Sequence, residues 1–103
     1  MPRIKELVRI ATLKQHFQQG LVEIVEIIDD GERWSVCVRY NEKAKGVKVR
    51  LLTAHQKAGP RRFANLATVW RFLNFHGIEK ALLRKASDDE KPDIQEQNAE
   101  IDY

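Results

Sequence analysis

Apolar residues near the start of the chain recur at spacings of three and four. Leu7, Ile10, Leu13 and Phe17 form one stripe, widened by Ile4, Val8 and Ala11, and this period predicts an amphipathic helix over residues 3–19. Pro2 suits its first turn and Gly20 its end. Thr12 and Gln15 have capping-box spacing, which gives a second reading: an extended segment first, then a shorter helix from residue 13. The period then changes to two. Residues 21–28 are rich in Val and Ile, and Asp29-Asp30-Gly31 is a hairpin turn. In the following strand Trp34, Val36, Val38 and Tyr40 fall on one face, with Arg33, Ser35, Cys37 and Arg39 on the other. Past a polar loop over 41–46, a third strand over 47–53 sets Val47, Val49 and Leu51 opposite Lys48 and Arg50. These strands read as an antiparallel meander with one apolar and one basic face.

Gly59-Pro60 interrupts the chain, and Arg61-Arg62-Phe63 adds a short edge strand. Asn65 is a good N-cap for a helix over 66–76. Leu66, Val69, Trp70 and Leu73 line one of its sides, with Phe72 and Phe75 beside them. Gly77 stands where a left-handed residue closes a helix, and Ile78 would then meet Leu73 in a Schellman ending. Residues 79–85 fit a short helix or a return strand equally well. The expected fold class is α+β: an N-terminal helix, an antiparallel three- to four-stranded meander, and a helix packed on one sheet face. These elements form a single domain over 1–86. A polar segment over 87–103 reads as a disordered acidic tail.

Charge changes the picture more than composition does. Residues 43–78 hold eight Lys and Arg and no carboxylate. The last sixteen residues hold seven Asp and Glu against Lys91 alone, a net of −6, which leaves residues 1–87 at +9 within a chain of net +3. A basic body of this kind attracts polyanions, and nucleic acid, DNA first, is the expected partner. Candidate phosphate contacts are Arg33, Arg39, Lys48 and Arg50 from the sheet, and Lys43 and Lys45 from the connecting loop. Lys57, Arg61 and Arg62 join them ahead of a helix N-terminus. The unpaired cations on adjacent strands point to a missing counter-charge such as phosphate, although a solvated outer face explains them equally well. The acidic tail is either a solubilising end or an intramolecular competitor that folds back over the basic sheet.

Catalytic and metal signatures are absent from the sequence. His16, His55, His76 and Cys37 lack the paired spacing of zinc ligands, so no metal and no cofactor are expected. His76, beside Gly77, suits a helix cap. No nucleophile elbow, phosphate-binding glycine loop or dinucleotide fingerprint occurs, and the protein is expected not to be an enzyme. Cys37 cannot close an internal disulfide. No stretch reaches membrane-spanning length and no secretory signal opens the chain, so a cytoplasmic protein without membrane contact is expected. Two aromatic flanks on one helix favour a homodimer.

The stretch Pro60-Arg61-Arg62-Phe63-Ala64-Asn65-Leu66-Ala67-Thr68-Val69-Trp70-Arg71-Phe72-Leu73-Asn74-Phe75-His76-Gly77-Ile78 resembles a segment of small ParC-type partition-associated proteins of bacterial plasmids and integrative elements. It covers about a fifth of the chain and carries no catalytic residues. The resemblance implies an accessory protein in plasmid partition, maintenance or regulation. The alternative is a protein–protein adaptor that self-associates through its aromatic helix and binds an acidic partner. A DNA-mimicking inhibitor is disfavoured by the positive body.

Overall fold

The computed structural model describes residues 6–46, 48–53, 59–95 and 100–101. The fold is α+β, but its sheet is mixed rather than antiparallel. Strand β1 (Leu7–Val8) is followed by helix α1 (Ile10–Gln18), then β2 (Val22–Asp29), β3 (Trp34–Tyr40), β4 (Val49–Leu52) and β5 (Arg61–Phe63). Helix α2 (Leu66–Phe75), β6 (Leu82–Lys85), α3 (Glu90–Gln95) and β7 (Glu100–Ile101) complete the order. The main path across the sheet is β1-β4-β3-β2-β6, with β5 also on β3 and β7 on β5. The expected meander β2-β3-β4 is present and antiparallel, whereas β1, β6 and β7 join it in parallel.

Two of these parallel strands lie where the sequence pattern pointed elsewhere or did not decide. Leu7 and Val8 are edge-strand residues, not helix: Val8 is buried beside Leu52, and the Thr53 N–H donates to the Val8 carbonyl at 2.9 Å. Helix α1 therefore starts at Ile10 after an extended Arg9, closer to the second reading than to a helix over 3–19. Residues 82–85 resolve to a return strand. Strands β4 and β5 lie in line along the same edge of β3, against residues 37–39 and 34–35 respectively. A bridge between Thr53 and Pro60 closes the excursion between them.

Local chemistry fixes the turns. Asp29 Oδ1 accepts the Gly31 N–H, Asp30 Oδ1 accepts those of Glu32 and Arg33, and Gly31 takes φ 95°. Asn65 Oδ1 caps α2 by accepting the Thr68 N–H at 2.8 Å. At the other end Gly77 has φ 83°, the Ile78 N–H reaches the Leu73 carbonyl at 2.9 Å, and both side chains are fully buried, a Schellman ending as expected.

Both sides of the sheet are covered. On the helical side, Leu13, Val69, Leu73 and Ile78 pack on Val25, Ile27, Val36, Val38 and Phe63. On the outer side Ile94 of α3 closes a second, smaller core over Ile28, Cys37 and Leu51. Residues 87–95 therefore depart from the expectation of disorder: the Glu90 and Lys91 N–H groups return to the Ser87 carbonyl, and Glu90 and Ile94 are buried. The physical cause is apolar and ionic together, since Ile94 covers Cys37 while Glu90 meets a cation of β6.

Candidate nucleic-acid interface

The register of β4 divides the expected basic face. Cys37 pairs with Leu51, Val38 with Arg50 and Arg39 with Val49, and antiparallel partners share a side. Val49 and Leu51 thus lie on the outer side with Arg39, while Arg50 lies on the helical side with Val38 and Tyr40. Alternation alone could not choose between these, because either side of β4 buries apolar residues here.

The strand arginines on the outer side carry internal counter-charges. Arg39 Nε donates to Glu26 Oε1 at 3.0 Å, and Arg84 Nε to Glu26 Oε2 at 3.0 Å. Arg84 also forks onto Glu90, with Nη1 and Nη2 donating at 2.5 and 2.6 Å. Arg62, 9% exposed, meets the 2%-exposed Asp30 at 2.8 Å and Glu32 at 3.4 Å. The charge that phosphate was expected to supply comes from β2, from the hairpin turn and from α3. Glu26, Arg84 and Glu90 are the residues the sequence reading missed. Of the two carboxylates inside the Val- and Ile-rich run 21–28, Glu26 lies between Val25 and Ile27-Ile28 in its most apolar part, which was the available signal, since a buried charge needs a partner.

This network shifts its members. The hydrogen bonds that Arg84 donates to Glu90 raise its guanidinium, against the pull of burial. Burial would raise the Glu90 carboxyl, but bonds from Arg84 and the Ser87 backbone outweigh it and hold the group below its ordinary value. Burial, aided by Glu26, pushes the Cys37 thiol up to about 12, which makes it a packing residue and a poor nucleophile.

The other candidates scatter. Arg50 donates from Nε to Glu6 at 2.9 Å and lies over the Tyr40 ring. Arg61 is buried, its guanidinium 4.4 Å from the centroid of Phe72 and 5.5 Å from that of Phe63. Arg33 is half-buried in the hairpin, held through its backbone to Asp30. Lys43, Lys45 and Lys48 are exposed; Lys45 and Lys48 share a groove with Glu23, Tyr40, Asn41 and Glu42. Lys57 lies outside the described residues.

A different surface collects unpaired positive potential. Neither α1 nor α2 contains a carboxylate, and the segments that bear them, residues 7–22 and 43–78, contain none either. Both helices cover the helical side, so that layer presents exposed Arg9, Lys14 and Arg71 without an acidic residue among them. Trp70 is 41% and Phe75 84% exposed on the same helix α2. His76, at the C-cap of α2, stacks edge-on with Phe72 and Phe75, and its imidazole is held below its ordinary value by burial, by Lys14 and by Arg61. His16 Nδ1 and the Tyr40 hydroxyl are 2.8 Å apart, tying α1 to the end of β3, from which the 41–46 lysine loop departs.

Among the described residues no three His, Cys, Asp or Glu side chains group as metal ligands would, and no helix is long and apolar enough to cross a membrane. No family model matches the chain, and no curated protein or solved structure is detectably similar to it.

Proposed function

We propose that this chain is a small non-enzymatic accessory domain that associates with nucleic acid, DNA in the first instance, through its helical side. The observation that carries the reading is the carboxylate-free layer formed by α1 and α2. Lys14, Arg71 and Arg9 would meet phosphates, with Lys43, Lys45 and Lys48 extending the track from the loop. Phosphate contacts supply affinity and orientation, not sequence information. Exposed Trp70 and Phe75 beside these cations suit stacking on unpaired bases or packing on sugars. The likeness of residues 60–78 to ParC-type proteins supports a role in plasmid partition, maintenance or regulation in a bacterial cytoplasm.

The test is charge reversal with a salt titration. Lys14→Glu combined with Arg71→Glu should weaken binding to a short duplex strongly and lower the salt slope by about 2, with the fold retained because both side chains are exposed. Unchanged affinity would remove the helical side as the interface.

A second reading has its own observation. Phe75 is almost fully exposed next to a half-exposed Trp70, as expected of an adaptor that grips a protein partner. Binding of that kind would change little with salt.

A further inference from the structure

We propose that the open edge of β6 is a homotypic pairing surface, on which a second copy of this chain continues the sheet in antiparallel fashion. Strand β6 ends the main sheet path, and among the described residues nothing pairs with its outer edge. Such an edge normally carries a protective device, such as a covering loop, a bulge or charged side chains, and the charged side chains of β6 are confined to Arg84 and Lys85 in the second half of the strand. Here it presents Leu82 at 47% and Leu83 at 52% exposure, one on each side of the strand. A groove of about 420 Å³ opens beside it, lined by Phe17, Ile24, Val25, Ala81 and Leu82 together with the charged Glu23 and Lys80.

The backbone restricts how a partner can pair. The Ala86 N–H donates inward to the Asp29 carbonyl, so alternation turns the polar groups of Leu83 and Lys85 outward. Odd-numbered residues must then meet odd-numbered residues across an antiparallel edge. A register centred on Leu82 satisfies this and is self-complementary. It sets Leu82 against Leu82 of the second copy, Ala81 against Leu83, and Glu79 against Lys85, twice by symmetry. Lys80 then faces Arg84, whose charge Glu26 and Glu90 already balance.

Antiparallel pairing of identical edges puts the twofold axis perpendicular to the sheet. Both helical layers fall on the same side of the joined sheet, with the two α3 segments on the other. Two carboxylate-free layers would thus face one ligand together; this consequence, unlike the pairing, rests on the proposed function.

Sedimentation velocity of the full chain over a concentration series, without nucleic acid, tests the pairing. The wild type should dimerise, and Leu83→Lys should weaken the dimer by about tenfold or more. Glu79→Lys and Lys85→Glu should each weaken it several-fold, and the double exchange should recover wild-type association. These two residues lie on the surface, so the exchange remains informative if Leu83→Lys perturbs folding. A monomer at all concentrations, a dimer indifferent to Leu83→Lys, or a double exchange no better than the singles would overturn the proposal. So would a dimer lost in Phe75→Ser and kept in Leu83→Lys, which would move the interface to α2. A wild-type dimer that ignores DNA would instead remove the nucleic-acid reading and leave the pairing intact.

Discussion

On the outer side of the sheet Arg39, Arg62 and Arg84 each end on a carboxylate, whereas on the helical side Lys14 and Arg71 end in solvent. The cations of the outer strands and those of the two helices are put to opposite use, with Arg50 of β4, paired to Glu6, the exception on the helical side. Outer arginines sit beside buried acids: Glu26 is 3%, Asp30 2% and Glu90 2% exposed. A guanidinium forks onto two oxygens and tolerates partial desolvation, which suits it to binding strands and α3 together. The exposed cations of α1, α2 and the 41–46 loop have no such task. A charge tally along the chain cannot separate these roles, because it counts a latch and a ligand contact alike.

The sharpest way to break the comparison is to remove the outer counter-charge. Glu26→Ala would leave Arg39 and Arg84 facing a half-buried space without their shared acid. Removing one partner of a buried pair costs about 3 kcal/mol or more, and urea unfolding should show that loss. The same measurement on Lys14→Glu should show almost none. Comparable losses in both would mean that the helical cations are structural as well.

A smaller effect should appear in acid. The Glu90 carboxyl is depressed in the folded chain, so its contribution is present above the ordinary value of 4.5 and is lost as pH falls through the lower folded value. Helix α3 should therefore stay docked at neutral pH and loosen only in acid below about 4.5. Cys37 reports the event, because Ile94 covers it and the thiol is fully buried. Its labelling by a pyridyl disulfide should rise as the latch opens. Glu90→Gln, which loses the charge on the fork, should label about tenfold faster at pH 7. Labelling that is flat with pH and equal in the two proteins would mean α3 is held by Ile94 alone.

Legibility followed the range of the interactions. The Asp29-Asp30-Gly31 turn, the Asn65 cap and the Gly77-Ile78 ending were readable because each is decided within a few residues. The register of β4 was not. Val49 and Leu51 are apolar for the sake of Cys37 and Ile94, and Ile94 lies more than forty residues further along the chain. Leu7 and Val8 fit the helical stripe of α1 as well as they fit a parallel edge, and only the presence of β4 decides. The nine candidate contacts were judged within their own segments: by alternation in the strands, and by charge in the loop and ahead of the helix N-terminus. The acids that meet three of them, Glu6 on Arg50, Glu26 on Arg39, and Asp30 and Glu32 on Arg62, lie on other segments, outside the carboxylate-free run that drew attention to the basic residues. The alternation gave the faces of β3 correctly and left open what each face meets.

The smallest stability effect is expected at the most exposed aromatic residue. Phe75 is 84% exposed, so Phe75→Ser should change unfolding free energy by no more than about 0.5 kcal/mol. Its ring touches His76 edge-on at 5.1 Å and little else of the fold requires it. A large apolar group kept in solvent at the end of a carboxylate-free helix has a cost in solubility and no return in packing. Binding should therefore respond where stability does not. If Phe75 stacks on bases, Phe75→Ser should weaken single-stranded more than duplex DNA, by about 1–3 kcal/mol per lost stack, with the salt slope unchanged. Equal, small effects on both forms would confine the helical side to phosphate contacts and leave Phe75 to a protein partner.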